Sequence, residues 1–174
     1  MSHTMSSAST IHVPPRTRTF EWLDPIQLVR DGAGMSGLDY LRAIAAGRLP
    51  QPPLGEALGF RLVEADDGRA VFTCVPAEHH YNLIGTVHGG LAAALIDSAT
   101  GCAVMSALPA GDQWTTLSLR VDYLAGLDLS VGLLTCEARL VRAGRRTAIA
   151  DADLRDANGK VYARGSTTCL LMRA

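Results

Sequence analysis

Apolar and polar positions change rhythm twice along this chain. Residues 36 to 47 (Ser-Gly-Leu-Asp-Tyr-Leu-Arg-Ala-Ile-Ala-Ala-Gly) put Leu38, Leu41 and Ile44 on one face at helical spacing, with Gly47 suited to the C-terminal end. Another helix start is read at Asp24-Pro25, and Pro50, Pro52 and Pro53 form a stiff connector. From Gly55 the period shortens. Residues 56 to 65 and 69 to 76 read as two strands across the Asp66-Asp67-Gly68 turn. A loop over 77 to 87 leads to a long apolar helix over about 88 to 107, closed by the Pro109-Ala-Gly-Asp112 turn. Strand patterns return at roughly 114 to 124, 130 to 142, 145 to 156 and 160 to 171. The prediction is an α+β fold: a hairpin, one long buried helix, then four β-segments in a meander, with the curved antiparallel sheet wrapped around the helix. Residues 1–53 form an N-terminal extension with short helices, and 54–174 form the main domain. Residues 1 to about 19 are expected to be disordered or loosely docked, being rich in Ser, Thr, Pro and Arg.

Composition narrows the function. A chain of 174 residues is one domain with a sizeable core. A net charge of −1 and a pI near 6.5 give no electrostatic case for nucleic acid. No basic segment followed by an apolar run marks a signal peptide, and Cys74, Cys102, Cys136 and Cys169 form no Cys-x-x-Cys pair, so a cytoplasmic protein with reduced, mostly buried thiols is expected. Gly89 to Leu108 reaches membrane-spanning length. However, it carries Asp97 near its middle, is rich in Ala, Gly and Ser, and has no Lys, Arg or aromatic anchors, so it is read as a core helix.

The candidate chemistry sits at the start of that helix, in Asn82-Leu-Ile-Gly-Thr-Val-His88-Gly89-Gly90-Leu-Ala-Ala-Ala-Leu-Ile-Asp97. A helix N-terminus presents free N–H groups and a positive dipole end to developing negative charge, and Gly89, lacking a Cβ, lets a carbonyl approach the backbone. Gly90 serves either the same approach or close helix–sheet contact. A carboxylate in an apolar helix is costly to bury, which makes Asp97 the candidate base or nucleophile. The Asn82 amide either stabilises its own turn or holds a substrate carbonyl or water. His88 either fixes the loop by hydrogen bonding, the favoured reading, or moves a proton. His79 and His80 have no metal-ligand spacing, and neither metal nor other cofactor is expected. Eight helical residues rise about 12 Å, so Asp97 does not easily reach a carbonyl held at Gly89 of its own helix. Two helices antiparallel across a two-fold axis would bring each Asp97 to the other's N-terminus, which predicts a homodimer with two shared sites.

These residues resemble the hotdog-fold acyl-CoA thioesterases, in the branch of the phenylacetate-pathway (PaaI-like) enzymes. The matching pattern is Asn82, then His88-Gly89-Gly90, then Asp97, followed by Thr115-Thr116-Leu-Ser-Leu-Arg-Val-Asp-Tyr123-Leu124, and the likeness covers about residues 54 to 172. The resemblance implies that the Gly89 N–H polarises a thioester carbonyl and that Asp97 of the facing subunit is base or nucleophile. It further implies that Asn82 and His88 position the reacting groups, and that Thr116 supplies a hydroxyl orienting water. The substrate implied is a small or medium acyl- or aryl-CoA, and the assembly a homodimer, often paired into a tetramer. The alternative is a hotdog module that binds acyl-CoA without turnover. Arg145 and Arg146, in a predicted hairpin turn, either meet the coenzyme A phosphates or are simply solvated. Trp22, Leu23, Ile26, Leu38, Tyr40 and Leu41 of the extension offer apolar surface that must be buried somewhere; the extra helices either cover the acyl pocket, the favoured role, or pad an oligomer interface.

Overall fold

The computed structural model describes residues 14–174. The expectation for residues 1 to about 19 therefore lies largely outside the described residues. Residues 14–24 are exposed, without helix or strand; Arg16 pairs with Glu78, and Arg18 donates to the Glu56 carbonyl at 2.9 Å. Two helices follow where caps call for them. Asp24 accepts from the Ile26 N–H at 2.9 Å to start α1 (Pro25–Asp31), and Ser36 accepts from the Asp39 N–H at 3.1 Å to start α2 (Gly37–Ala45). Leu41 and Ile44 of α2 are buried in the main core, so this part of the extension is packed into the molecule.

The strand predicted from residue 56 begins later. Pro53 occupies the first turn of a third helix, α3 (Pro53–Leu58), which ends at Gly59 with φ 69° before β1 (Phe60–Asp66). Proline pre-sets the helical φ and glycine supplies the left-handed stop, and these two outweigh the weak alternation between them. Next come β2 (Arg69–Cys74), α4 (Gly89–Ser106), β3 (Gln113–Tyr123), β4 (Leu134–Ala143), β5 (Thr147–Asp156) and β6 (Val161–Met172). β4 starts at Leu134 rather than 130, because Asp128 accepts from the Ser130 N–H at 2.8 Å and holds Leu129–Val131 in a 3-10 turn.

All strand pairs are antiparallel, in the order β1-β2-β4-β5-β6-β3. The predicted four-strand meander is thus only partly formed: β4, β5 and β6 follow one another, but β3 pairs with β6 at the far edge. Burial explains the placement. Leu134, Cys136 and Ala138 of β4 are wholly buried and need a central position, whereas no residue of β3 is fully buried, so β3 takes an edge.

α4 packs against all six strands and is buried around most of its circumference. By length and composition Gly89–Ser106 is apolar enough to cross a membrane, but here it is the core helix. The sheet approaches it closely at Gly165, where a Cβ would lie 2.5 Å from Ile96 Cγ2 and 2.8 Å from the Arg120 carbonyl oxygen. Two buried hydroxyls, Thr100 and Thr167, bond across the same contact at 2.7 Å. α2 covers the other end of α4, where the Gly37 N–H donates to the Leu108 carbonyl at 3.0 Å. The extension therefore lies away from Gly89 of its own chain. Trp22, Leu23 and Ile26 are left 59%, 68% and 58% exposed.

Candidate active site

The loop before α4 is tied down residue by residue. His80 Nδ1 accepts from the Ala77 N–H at 2.9 Å, closing the 3-10 turn Glu78–His80, and the His80 carbonyl accepts from the His88 N–H at 2.7 Å. Burial, with His79 adding to it, pushes the His80 pKa below the usual imidazole value, so the ring is held neutral with its hydrogen on Nε2. That Nε2 is buried near the Leu58 carbonyl but makes no hydrogen bond of normal geometry among the described residues. Asn82 Oδ1 accepts from the N–H groups of Ile84 and Thr86 at 3.0 and 3.1 Å, and Nδ2 donates to Thr86 Oγ1 at 2.9 Å. Asn82 is thus engaged in stabilising its own turn, one of the two readings open from sequence, and one Nδ2 hydrogen is uncommitted among the described residues.

His88 is the N-cap of α4, its Nδ1 accepting from the Gly90 N–H at 2.8 Å. The loop-fixing reading of His88 is the one the geometry displays. Gly90 is explained by the same contact, since a Cβ there would sit 2.9 Å from that nitrogen. The Gly90 N–H is therefore occupied. The Gly89 N–H, by contrast, has no acceptor among the described residues, and Gly89 lines a cleft of about 410 Å³ with Val87, Ala92, Tyr123, Leu124 and Leu127.

Asp97 is half-buried and accepts from Thr116 Oγ1 at 3.0 Å. A bulge decides which threonine reaches it. The β3–β6 register shifts between Thr116 and Ser118, and this turns Trp114 and Thr116 to the helix side before the shift and Leu119 and Val121 after it. Thr115 points the other way and is exposed. The Asp97 charge and, above all, burial push the Cys102 thiol up to about 12, so it stays protonated.

Tyr123, which sequence reasoning passed over, donates to the Gly89 carbonyl at 3.1 Å. Beyond the bulge it continues the inward series Leu119, Val121, Tyr123, a direction that depends on where the bulge falls. Arg145 and Arg146 do occupy the β4–β5 turn, exposed, but within one chain the fold does not bring them to Gly89. They adjoin the Gln113–Met172 end of the sheet, while Tyr123 and Gly89 lie at the opposite end of the 11-residue β3, on the order of 30 Å away. Thr116, paired with Cys169, lies toward the arginine end. Arg164 pairs with Asp153 at 2.7 Å on the outer face, in a groove of about 770 Å³ where arginines and acids alternate. That groove faces away from α4 and holds no helix terminus. Among the described residues no group of three His, Cys, Asp or Glu is arranged to hold a metal ion.

The thioesterase superfamily pattern matches residues 84–163, which run from the pre-helix loop to β6. A Pseudomonas aeruginosa protein, PA5202, is 30% identical, with 70% of this chain and 94% of that one covered and a TM-score of 0.64. A mutant of the phenylacetic acid degradation protein PaaI from Thermus thermophilus is 32% identical, covering 71% of this chain and 100% of that one, with a TM-score of 0.63. The chain belongs to the thioesterase superfamily. Acyl-coenzyme A thioesterase 13 of Homo sapiens is 28% identical over 131 residues, 75% of this chain and 90% of that protein. The fold is therefore the hotdog thioesterase fold, and the protein is a thioester hydrolase.

Proposed function

We propose that this thioesterase hydrolyses acyl-CoA at two sites shared by paired copies of the chain, in the cytoplasm. The observation that carries the reading is the division of labour along α4: an N–H at Gly89 unoccupied among the described residues and, eight residues on, a carboxylate oriented by Thr116. The thioester carbonyl docks at Gly89, where the helix end stabilises the oxyanion; one such donor is worth about 3–4 kcal/mol in the transition state. Asp97 of the facing copy either takes a proton from the attacking water or adds to the carbonyl carbon, forming an anhydride that water then hydrolyses to the free acid; in both routes the coenzyme A thiolate departs without further activation. Thr116 fixes the rotamer of that carboxylate through its hydrogen bond. Sharing the site across two chains also gives Arg145 and Arg146 a route to it, since they lie toward the Thr116 end of the sheet that supplies Asp97. The cytoplasmic setting is supported by four free thiols.

The test is thiol release from a panel of acyl- and aryl-CoA substrates. The wild type is expected to release coenzyme A from at least one of them, and Asp97→Ala to lose at least ~100-fold in kcat. A wild type that binds these substrates but releases no thiol would establish a binding module instead.

A further inference from the structure

The Gly89–Gly90 peptide is gripped at both ends. Tyr123 Oη donates to its carbonyl at 3.1 Å, and its N–H donates to His88 Nδ1 at 2.8 Å. Hydrogen bonds at the two ends of one peptide group polarise each other. With Nδ1 committed as an acceptor, the neutral imidazole carries its hydrogen on Nε2. The string therefore runs from the Tyr123 hydroxyl, through the first peptide of α4, to a fixed Nε2–H on an exposed His88.

Tyr123 also explains why residue 89 is glycine. The backbone there is outside the left-handed region, so nothing in its φ demands glycine. A Cβ on Gly89 would instead fall 2.9, 3.0 and 3.2 Å from Cε1, Cζ and Oη of Tyr123. The ring forms a wall of the cleft beside the free Gly89 N–H. We propose that Tyr123 is a positioning residue of the reaction: its ring and hydroxyl clamp the first peptide of α4, aiming the Gly89 N–H into the cleft and fixing the His88 tautomer. This rests on Gly89 as the oxyanion donor.

The experiment compares the full chain with Tyr123→Phe, Tyr123→Ala, Gly89→Ala and the double variant Gly89→Ala/Tyr123→Ala. The readouts are thiol-release kinetics and the imidazole ¹⁵N signals of His88, assigned by their loss in His88→Asn. Removing the hydroxyl alone is expected to lower kcat about 5-fold with KM nearly unchanged, and to shift His88 Nδ1 away from its acceptor signature. Gly89→Ala should cost on the order of 100-fold in kcat by displacing the donor. Adding Tyr123→Ala should then recover about tenfold instead of lowering activity further. Tyr123→Phe with wild-type kcat and unchanged His88 signals overturns the proposal, as does a double variant whose losses multiply. Should Gly89→Ala fail to fold by circular dichroism, the phenylalanine variant still decides. If the wild type releases no thiol, the acyl-CoA reading fails separately. The clamp is then judged on the ¹⁵N signals alone: a shift on Tyr123→Phe supports it and an unchanged spectrum overturns it.

Discussion

Asp97 and Thr116 meet through one hydrogen bond of 3.0 Å, and an acceptor of full or partial negative charge makes such a bond stronger than a neutral one. Thr116→Val removes the donor while keeping the shape. It should lower kcat about tenfold with little change in melting temperature, as checked by thiol release and a thermal melt on the same sample. Thr115→Val, on the exposed side of the strand, should leave both unchanged. His80 gives a different kind of prediction. Its folded form favours the neutral ring, so the unfolded chain binds more protons as pH falls. The stability it contributes is complete above the ordinary imidazole range and is lost as pH drops from about 6.5 toward the lower folded value. The melting temperature of the wild type should therefore fall more between pH 7 and pH 5 than that of His80→Asn, whose amide oxygen replaces Nδ1 as acceptor for Ala77. Equal acid losses in the two proteins would remove His80 from that role. Gly89, Asp97, His88 and Asn82 are candidates already in the sequence, because residue type and offset from a helix start carry their chemistry. Thr116 was implied by the resemblance alone, because the bulge that turns it rather than Thr115 toward Asp97, and carries Tyr123 inward, is not located by alternation.

At the scale of elements, the helix–sheet contact is set by small residues where layers approach. Gly165→Ala would push a methyl against Ile96 and the Arg120 carbonyl, so it should destabilise by about 1–3 kcal/mol, read from the urea midpoint. Leu41→Ala, which empties a wholly buried position in α2, should cost about 2–5 kcal/mol. If it costs nothing, α2 is not integral to the core as the packing describes it. The long apolar helix, both N-terminal helices and most strands could be read from periodicity and caps. α3 escaped because six residues hold less than two turns of pattern, and Pro53 and Gly59 decide it instead. The edge position of β3 escaped because strand order depends on which strand buries both neighbours, a long-range matter that local alternation does not record.

At the scale of the whole molecule, the proposed reading divides the site between two chains, and a single chain leaves apolar surface uncovered. Leu83 and Ile84, next to Asn82 in the pre-helix loop, are fully and 83% exposed, and Trp22, Leu23 and Ile26 form a second bare stretch. A second copy, as proposed, would account for this surface together with the separation of Gly89 from Asp97. The proposal of a partner comes from the helical rise, which was already legible in the sequence. The position of the arginines was not, because it follows from the register of strands far apart in sequence. The sharpest test mixes two variants, each with one half of the site disabled: Asp97→Asn and Gly89→Ala. Unfolded together and refolded, they should regain about a quarter of wild-type activity, because random pairing makes half of the dimers mixed and each mixed dimer holds one intact site of two. A mixture no more active than its separate components, or a fully active monomer, would contradict a shared site.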